Sequence, residues 1–200
     1  MAQALLGGLL VSRLGGGLTA GRIVETEAYL GPEDAASHAA FRPSSRALFY
    51  GPGGVAYVFL AYGRHPCLNA ITGPPGTPGC VLIRALEPVA GVEVMARRRA
   101  AAPRSVALAN GPAKLTQALA ITLRENGADL TRGRLTIAPP GPAPPGAVAT
   151  GPRVGITRAA DLPLRFWIRG SRHVSRPRPD IIDTDPSAGI ALQRILEGPR

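Results

Sequence analysis

Arg22-Ile23-Val24-Glu25-Thr26-Glu27-Ala28-Tyr29-Leu30 is the stretch that decides the reading of this chain. Apolar and polar residues alternate through it, which predicts a strand with one buried and one accessible face. Side chains two apart on a strand point the same way, so Glu25, Glu27 and Tyr29 share a face. Two carboxylates and a phenol aligned there are costly unless solvated, paired or used in chemistry.

Working outward, Ala2 to Leu6 predicts a short helix stopped by Gly7-Gly8. Leu9 to Leu14 predicts a strand, Gly15-Gly16-Gly17 a turn, and Leu18 to Leu30 the return strand of a hairpin. The acidic strand is therefore anchored in a sheet. Gly31 to Pro52 is a loop by composition, carrying His38, Arg42 and Arg46; a loop of that length in a compact domain is commonly functional. His38 alone reads equally as a structural histidine or a site residue.

Val55 to Tyr62 and Pro66 to Thr72 predict a second hairpin with Gly63-Arg64-His65 at its tip. Period two puts Tyr57, Phe59 and Ala61 on one face and Val58, Leu60 and Tyr62 on the other. Strand aromatics are ordinarily core, but Tyr62 at a strand end beside Arg64 also suits a wedge into stacked bases. Cys80 to Leu86 predicts a buried strand, Val89 to Arg99 a helix with a basic end, and Asn110 to Leu123 a second helix. Arg97-Arg98-Arg99 can complement the helix dipole or face phosphates, and Lys114 is equally a phosphate contact or a solvated lysine. Leu135 to Ala138, Arg153 to Ile156 and Leu164 to Ile168 predict further strands, Pro139 to Gly151 a surface loop, and Pro186 to Leu196 a helix capped by Asp185.

Two hundred residues make one domain with one core, and an apolar content of 45% is that of a globular protein. Lys and Arg together number 23 against 13 Asp and Glu, a net charge of +10. A GC-rich genome explains why Lys114 is the sole lysine, but not the surplus charge, which favours nucleic acid as partner. Cys67 and Cys80 are too few for a disulfide framework or a zinc site and read as reduced core residues. No apolar run approaches the ~20 residues of a membrane span, and Met1 to Leu10 has no basic n-region, so a soluble cytoplasmic, nucleoid-associated protein is expected. Walker-type and dinucleotide glycine motifs and metal-spaced His/Cys clusters are absent. An acidic strand, neighbouring aromatics and a basic exterior suit an enzyme that extrudes a base, stacks it and directs a carboxylate at water.

Glu25-Thr26-Glu27-Ala28-Tyr29-Leu30-Gly31-Pro32-Glu33-Asp34, followed by His38, resembles the signature of the alkyladenine (3-methylpurine) DNA glycosylases. The same order continues through Tyr57-Val58-Phe59, Tyr62-Gly63, Cys67-Leu68-Asn69, Val81 to Pro88, Asn110 to Leu115 and Arg165 to Gly170. The resemblance runs from about Ala4 to Ser175, and the ordered succession is far more specific than any one motif.

It implies a mixed α/β (α+β) single domain, residues 1–176, with a curved, largely antiparallel sheet and a few helices, and an Arg/Pro-rich tail at 177–200. The implied activity is monofunctional hydrolysis of the N-glycosidic bond of alkylated or deaminated purines, without cofactor or metal. The implied partner is double-stranded DNA, bound by a monomer, with no membrane. Glu27 would be the general base beside Arg84, with Glu25 the alternative carboxylate. Tyr29, His38 and Phe59 would stack on the everted base, and Asn69 would disfavour the amino group of normal guanine. Tyr62 would fill the gap in the duplex, and the backbone at His38 and from Val154 to Ile156 would read the base edge; beside the resemblance, Arg46, Arg64 and Lys114 are expected to meet the DNA backbone. An alkylated purine is already cationic, so it leaves without much acid and stacks well on electron-rich rings, worth roughly 0.5–2 kcal/mol per contact. The chain departs from the family at Phe59, where Tyr is usual, and at Ser45-Arg46 and Phe49-Tyr50, where Arg-Asn and Met-Phe pairs are usual.

Overall fold

The computed structural model describes residues 1–101, 105–141 and 147–175. The proposed 186–196 helix and the tail lie outside these residues. Eight strands form one antiparallel sheet that curls into a half-barrel. They are β1 (Leu9–Ser12), β2 (Thr19–Tyr29), β3 (Ala56–Ala61), β4 (His65–Ile71), β5 (Cys80–Ala90), β6 (Leu135–Ala138), β7 (Val148–Gly151) and β8 (Arg165–Ile168). The main path is β3-β4-β5-β2-β1-β6, and β7 and β8 join off it. With helices few and short, this is the single mixed α/β domain expected from the resemblance.

β2 forks the sheet. One edge pairs with β5 from Ala20 to Tyr29. Along the other, Thr19 to Arg22 pair with β1, while Glu25 to Glu27 pair with β8. Register shifts against β5 fall at Ala20/Gly21 and on both sides of Glu25, where irregular pairing bends a strand and re-aims side chains. Apart from Arg22, β2 is buried from Thr19 to Glu27. The accessible face expected from its alternation is therefore absent. The N-terminal 3₁₀ turn at Gln3–Leu5 lies beside it, and Thr26 Oγ1 donates to the Ala2 carbonyl at 3.0 Å.

Among the described residues four short α-helices pack on the sheet: α1 (His38–Phe41), α2 (Arg46–Phe49), α3 (Val92–Arg99) and α4 (Pro112–Ala118). The first two lie in the segment that composition marked as a loop. Ser37 caps α1 by accepting from the Ala39 amide at 3.2 Å. The strand preceding α3 runs to Ala90, so that helix starts later than its pattern implied. Gly91 turns the chain with φ +68, and a Cβ there would lie 2.1 Å from the Leu18 carbonyl oxygen. α4 has Pro112 at its first turn and ends at Ala118, short of Leu123, where a 3₁₀ turn begins.

The main core packs Leu115 and Leu119 of the α4 region and Met95 of α3 against Leu10, Ile23, Leu68, Ile83 and Leu86 of the sheet. Each such side chain contributes about 1.5–3 kcal/mol. A smaller cluster of Phe49, Tyr57, Ile71 and Cys80 lies under α2. Three further expectations change. Val148–Gly151 is a strand paired with β8, not loop. Arg153 to Ile156 has no strand partners and forms a loop against β2. Two of the three arginines ending α3 are tied to the fold, while Arg97 is exposed: Arg98 donates to the Ala118 and Leu14 carbonyls, and Arg99 to Gln117.

Candidate functional site

β2 carries two carboxylates, both fully buried, and the structure gives them different partners. Glu25 Oε1 accepts from Arg84 Nε at 2.8 Å, Arg165 Nε at 2.7 Å and Ser175 Oγ at 2.8 Å. Its Oε2 accepts the Ser175 amide at 2.6 Å. Glu25 is thus consumed by two arginines and a serine, which argues against it as the alternative base. Arg165, in the strand expected from Leu164 to Ile168, is buried and is the second of those arginines.

Glu27 is held more lightly. Its Oε1 accepts the Val154 amide at 2.7 Å and lies 3.1 Å from Arg84 Nη1, while Oε2 accepts the Tyr29 hydroxyl at 3.0 Å. Burial raises its pKa and outweighs the opposing pull of Arg84, the Val154 amide and Tyr29; Glu25 adds in the raising direction. Burial works against the charge on Arg84, but Glu27 and Glu25 override it and hold that pKa above its ordinary value. Burial, with Glu27 next, keeps the Tyr29 phenol protonated well above its usual range.

A cleft of about 450 Å³ has a lining that includes Tyr29, His38, Phe59, Tyr62, Asn69 and Arg84; Glu27 is not in its wall, but Tyr29, Arg84 and Val154, which hold it, are. His38 and Phe59 meet edge to face in the cleft wall, ring centroids 4.5 Å apart, and Tyr29 enters from β2. His38 Nδ1 lies 2.7 Å from the Tyr57 hydroxyl, which also lies 2.9 Å from Ser45 Oγ. Burial, helped by Arg42, lowers the His38 pKa to about 4, so the ring is neutral at physiological pH. Asn69 Nδ2 donates to the Tyr57 carbonyl at 3.1 Å, and Cys80 Sγ donates to Asn69 Oδ1 at 3.7 Å. Cys67 and Cys80 are buried free thiols, as expected, and both line the cleft; burial pushes the Cys67 thiol up to about 11.

Tyr62 is 83% exposed yet lines the same cleft as Tyr57, Phe59 and Ala61. Strand alternation put it on the opposite face. It leaves the strand in the left-handed region, φ +52, followed by Gly63 at φ +72, and that turn breaks the period of two. Such a conformation costs a tyrosine of order 1 kcal/mol.

Val154 and Ile156 line the cleft, the former with its amide on Glu27. Arg64 and Arg46 are exposed, Arg46 with its guanidinium 4.9 Å from the Tyr50 ring centroid. Lys114 Nζ donates to Asn110 Oδ1 at 2.9 Å, so it is neither purely solvated nor aimed outward alone. Among the described residues no His/Cys/Asp/Glu group is placed to hold a metal, and no helix is long and apolar enough to cross a membrane.

Sequence reasoning passed over Tyr57, Phe41 and the Arg153–Asp34 pair. Tyr57 shares the Phe59 face by period two, a signal that core packing explained equally well. Phe41 lies one helical turn after His38 and touches it edge-on at 5.2 Å. Arg153 and Asp34 are 119 residues apart and carry no local signal of their pairing.

A family model for methylpurine-DNA glycosylase matches residues 1–172. The chain is similar to a curated protein of Methanoculleus marisnigri, 48% identical over 179 residues, spanning 88% of this chain and 92% of that protein. It is also similar to one of Koribacter versatilis, 48% identical over 185 residues, 89% of this chain and 88% of that protein. A third, of Rubrobacter xylanophilus, is 46% identical over 176 residues, 87% of this chain and 90% of that protein. Each carries 3-methyladenine DNA glycosylase as a provisional name.

Proposed function

The chain belongs to the methylpurine-DNA glycosylase family, and from that footing we propose that it excises N-alkylated purines from duplex DNA by hydrolysis. The observation that carries the reading is a fully buried, lightly held Glu27 beside Arg84, directly behind an aromatic cleft.

In this reading the everted purine lies between Tyr29 and the His38–Phe59 wall, and the Tyr62 ring takes its place in the stack. Glu27 orients a water toward C1′ of the sugar. As the C1′–N bond breaks, its electron pair leaves with the purine; the water oxygen bonds to C1′ and its proton passes to Glu27. Desolvation makes this carboxylate a stronger proton acceptor than a solvated one. Its charge also stabilises the oxocarbenium-like sugar, and one carboxylate suffices where sugar hydrolases use two. Arg84 and the Val154 amide fix the carboxylate's orientation.

The substrate is a cationic alkylpurine because the cleft offers little acid. His38 is neutral with Nδ1 committed to Tyr57, and the Tyr29 hydroxyl is committed to Glu27. A cationic base leaves without a donated proton, whereas hypoxanthine requires one. The +10 charge supplies affinity for the duplex, with Arg64 and Arg46 exposed to reach phosphates.

The test uses a methylated duplex with wild type and Glu27→Gln in parallel. Free methylpurine and alkali-dependent strand breaks from wild type alone are expected. Duplex binding without release by either protein would replace the reading with that of a non-catalytic DNA-binding module. Equal release by both would remove Glu27 as the base.

A further inference from the structure

The segment from Gly151 to Ile156 brings its backbone to the site without a strand ladder beyond Gly151. Something other than sheet pairing must hold the Val154 amide 2.7 Å from Glu27. The adjacent residue is Arg153, whose side chain is fully buried. Its guanidinium grips Asp34 with two parallel bonds, Nη1 to Oδ2 at 2.6 Å and Nη2 to Oδ1 at 2.8 Å. Nη1 also donates to the Ala28 carbonyl at 3.0 Å, and Nη2 to the Ala159 carbonyl at 3.3 Å. The guanidinium carbon lies 4.7 Å from the centroid of the Tyr29 ring.

One side chain thus joins three parts of the site. Ala28 and Tyr29 belong to the strand that carries Glu27. Asp34 organises the chain leading to His38, accepting from the Leu30 and Ala36 amides at 3.1 Å each. Ala159 lies on the far side of the loop that carries Val154. Arg153 is not part of the cleft wall, whereas Tyr29 is, so it backs the ring without touching what the cleft holds. A buried ion pair is weak support for stability by itself. A bidentate one that also takes two backbone carbonyls fixes geometry.

We propose that Arg153, clamped by Asp34, is the positioning residue of the site: it holds the Val154 amide on Glu27 and the Tyr29 ring against the cleft. The proposal rests on the functional reading only for its consequence in excision, since the positioning is a property of the free protein. The groups facing Glu27 are Arg84 from β5, Tyr29 and Glu25 from β2, the Cys67 thiol from β4, and the Val154 amide from the loop. Arg165, its β8 neighbour, turns to Glu25. Of these, the Val154 amide is the one that Arg153 controls through the chain itself, and it favours the charged carboxylate.

The test is a carbon-13 NMR titration of the glutamate side-chain carboxyls, with Glu27 assigned through Glu27→Gln. In Arg153→Lys the charge stays but the fork is lost. The Glu27 midpoint is expected to move up by roughly one pH unit, the size of one lost bond to a charged group. Should that variant fold poorly, the pair Asp34→Asn with Arg153→Gln leaves no charge buried alone and should show the same rise. A folded variant of either kind whose Glu27 titrates as in wild type overturns the proposal, even if its melting temperature falls, because a merely structural role would move only the latter. Excision on methylated duplex, read on the same samples, should fall at least tenfold, with affinity for undamaged duplex unchanged. A wild type that releases no methylpurine while the Glu27 midpoint still moves in the variants would fail the functional reading and leave the positioning role standing.

Discussion

Glu25→Gln and Glu27→Gln should have opposite signatures although the residues are two apart on one strand. Glu25 accepts four hydrogen bonds, two of them from buried arginines. A glutamine there keeps one carbonyl oxygen, but its NH₂ must face the Ser175 amide or the guanidinium pair, donor against donor. Arg165 then loses the carboxylate its Nε holds. Removing one partner of a buried pair costs about 3–5 kcal/mol. At about 2–4 °C per kcal/mol for a domain of this size, the melting temperature should fall by roughly 6–20 °C. Glu27→Gln removes a desolvated charge instead, and Arg84 remains held by Glu25.

The sign of the pH dependence follows. The folded pKa of Glu27 is raised above its ordinary 4.5, so between the two values the native state holds the extra proton. The stability this contributes is fully present below the unfolded value and is lost as pH rises through the folded one. Wild type therefore loses stability relative to Glu27→Gln across that window, and the variant should melt at or above wild type at neutral pH. The assay is thermal melting by circular dichroism from pH 4 upward, with methylpurine release in parallel. The reasoning fails if Glu25→Gln melts with wild type, or if Glu27→Gln is the variant that collapses.

Tyr62→Asn should raise thermal stability by about 1 kcal/mol, because asparagine accepts the left-handed turn that strains tyrosine, while excision falls; a loss of both would show that the ring supports the fold. Tyr57→Phe removes the hydroxyl shared by His38 and the buried Ser45, and should cost about 1–2 kcal/mol in urea unfolding and raise KM for methylated duplex. His38→Gln should leave the acid limb of the excision profile in place, because His38 is already neutral there. The folded pKa of His38 lies below the unfolded one, so wild type should lose stability as pH falls from about 6.5 toward 4, and the variant should lack that component.

The sequence by itself determined the strands whose pattern is local. The Thr19–Tyr29 strand, the Ala56–Ala61 and His65–Ile71 hairpin and Cys80–Ala90 all announce themselves through alternation or apolar runs bounded by glycine and proline. It also placed Glu27, Tyr29, His38, Phe59 and Asn69 in one ordered signature, and these residues do meet around one cleft, with Glu27 directly behind its wall. Only the tertiary structure separated the two carboxylates. Their spacing makes them equivalent, but β8 and the Ser175 segment neutralise Glu25, more than 130 residues downstream, and leave Glu27 to Arg84, Tyr29 and one amide. It also turned Tyr62 to the cleft, since a positive φ at a turn overrides the period of two. It filled the 31–52 segment with α1 and α2, whose single turns are too short to show a helical period. The Asp34–Arg153 clamp is the extreme case: a charge on a loop reads as solvated until the partner that makes its burial affordable arrives from 119 residues away.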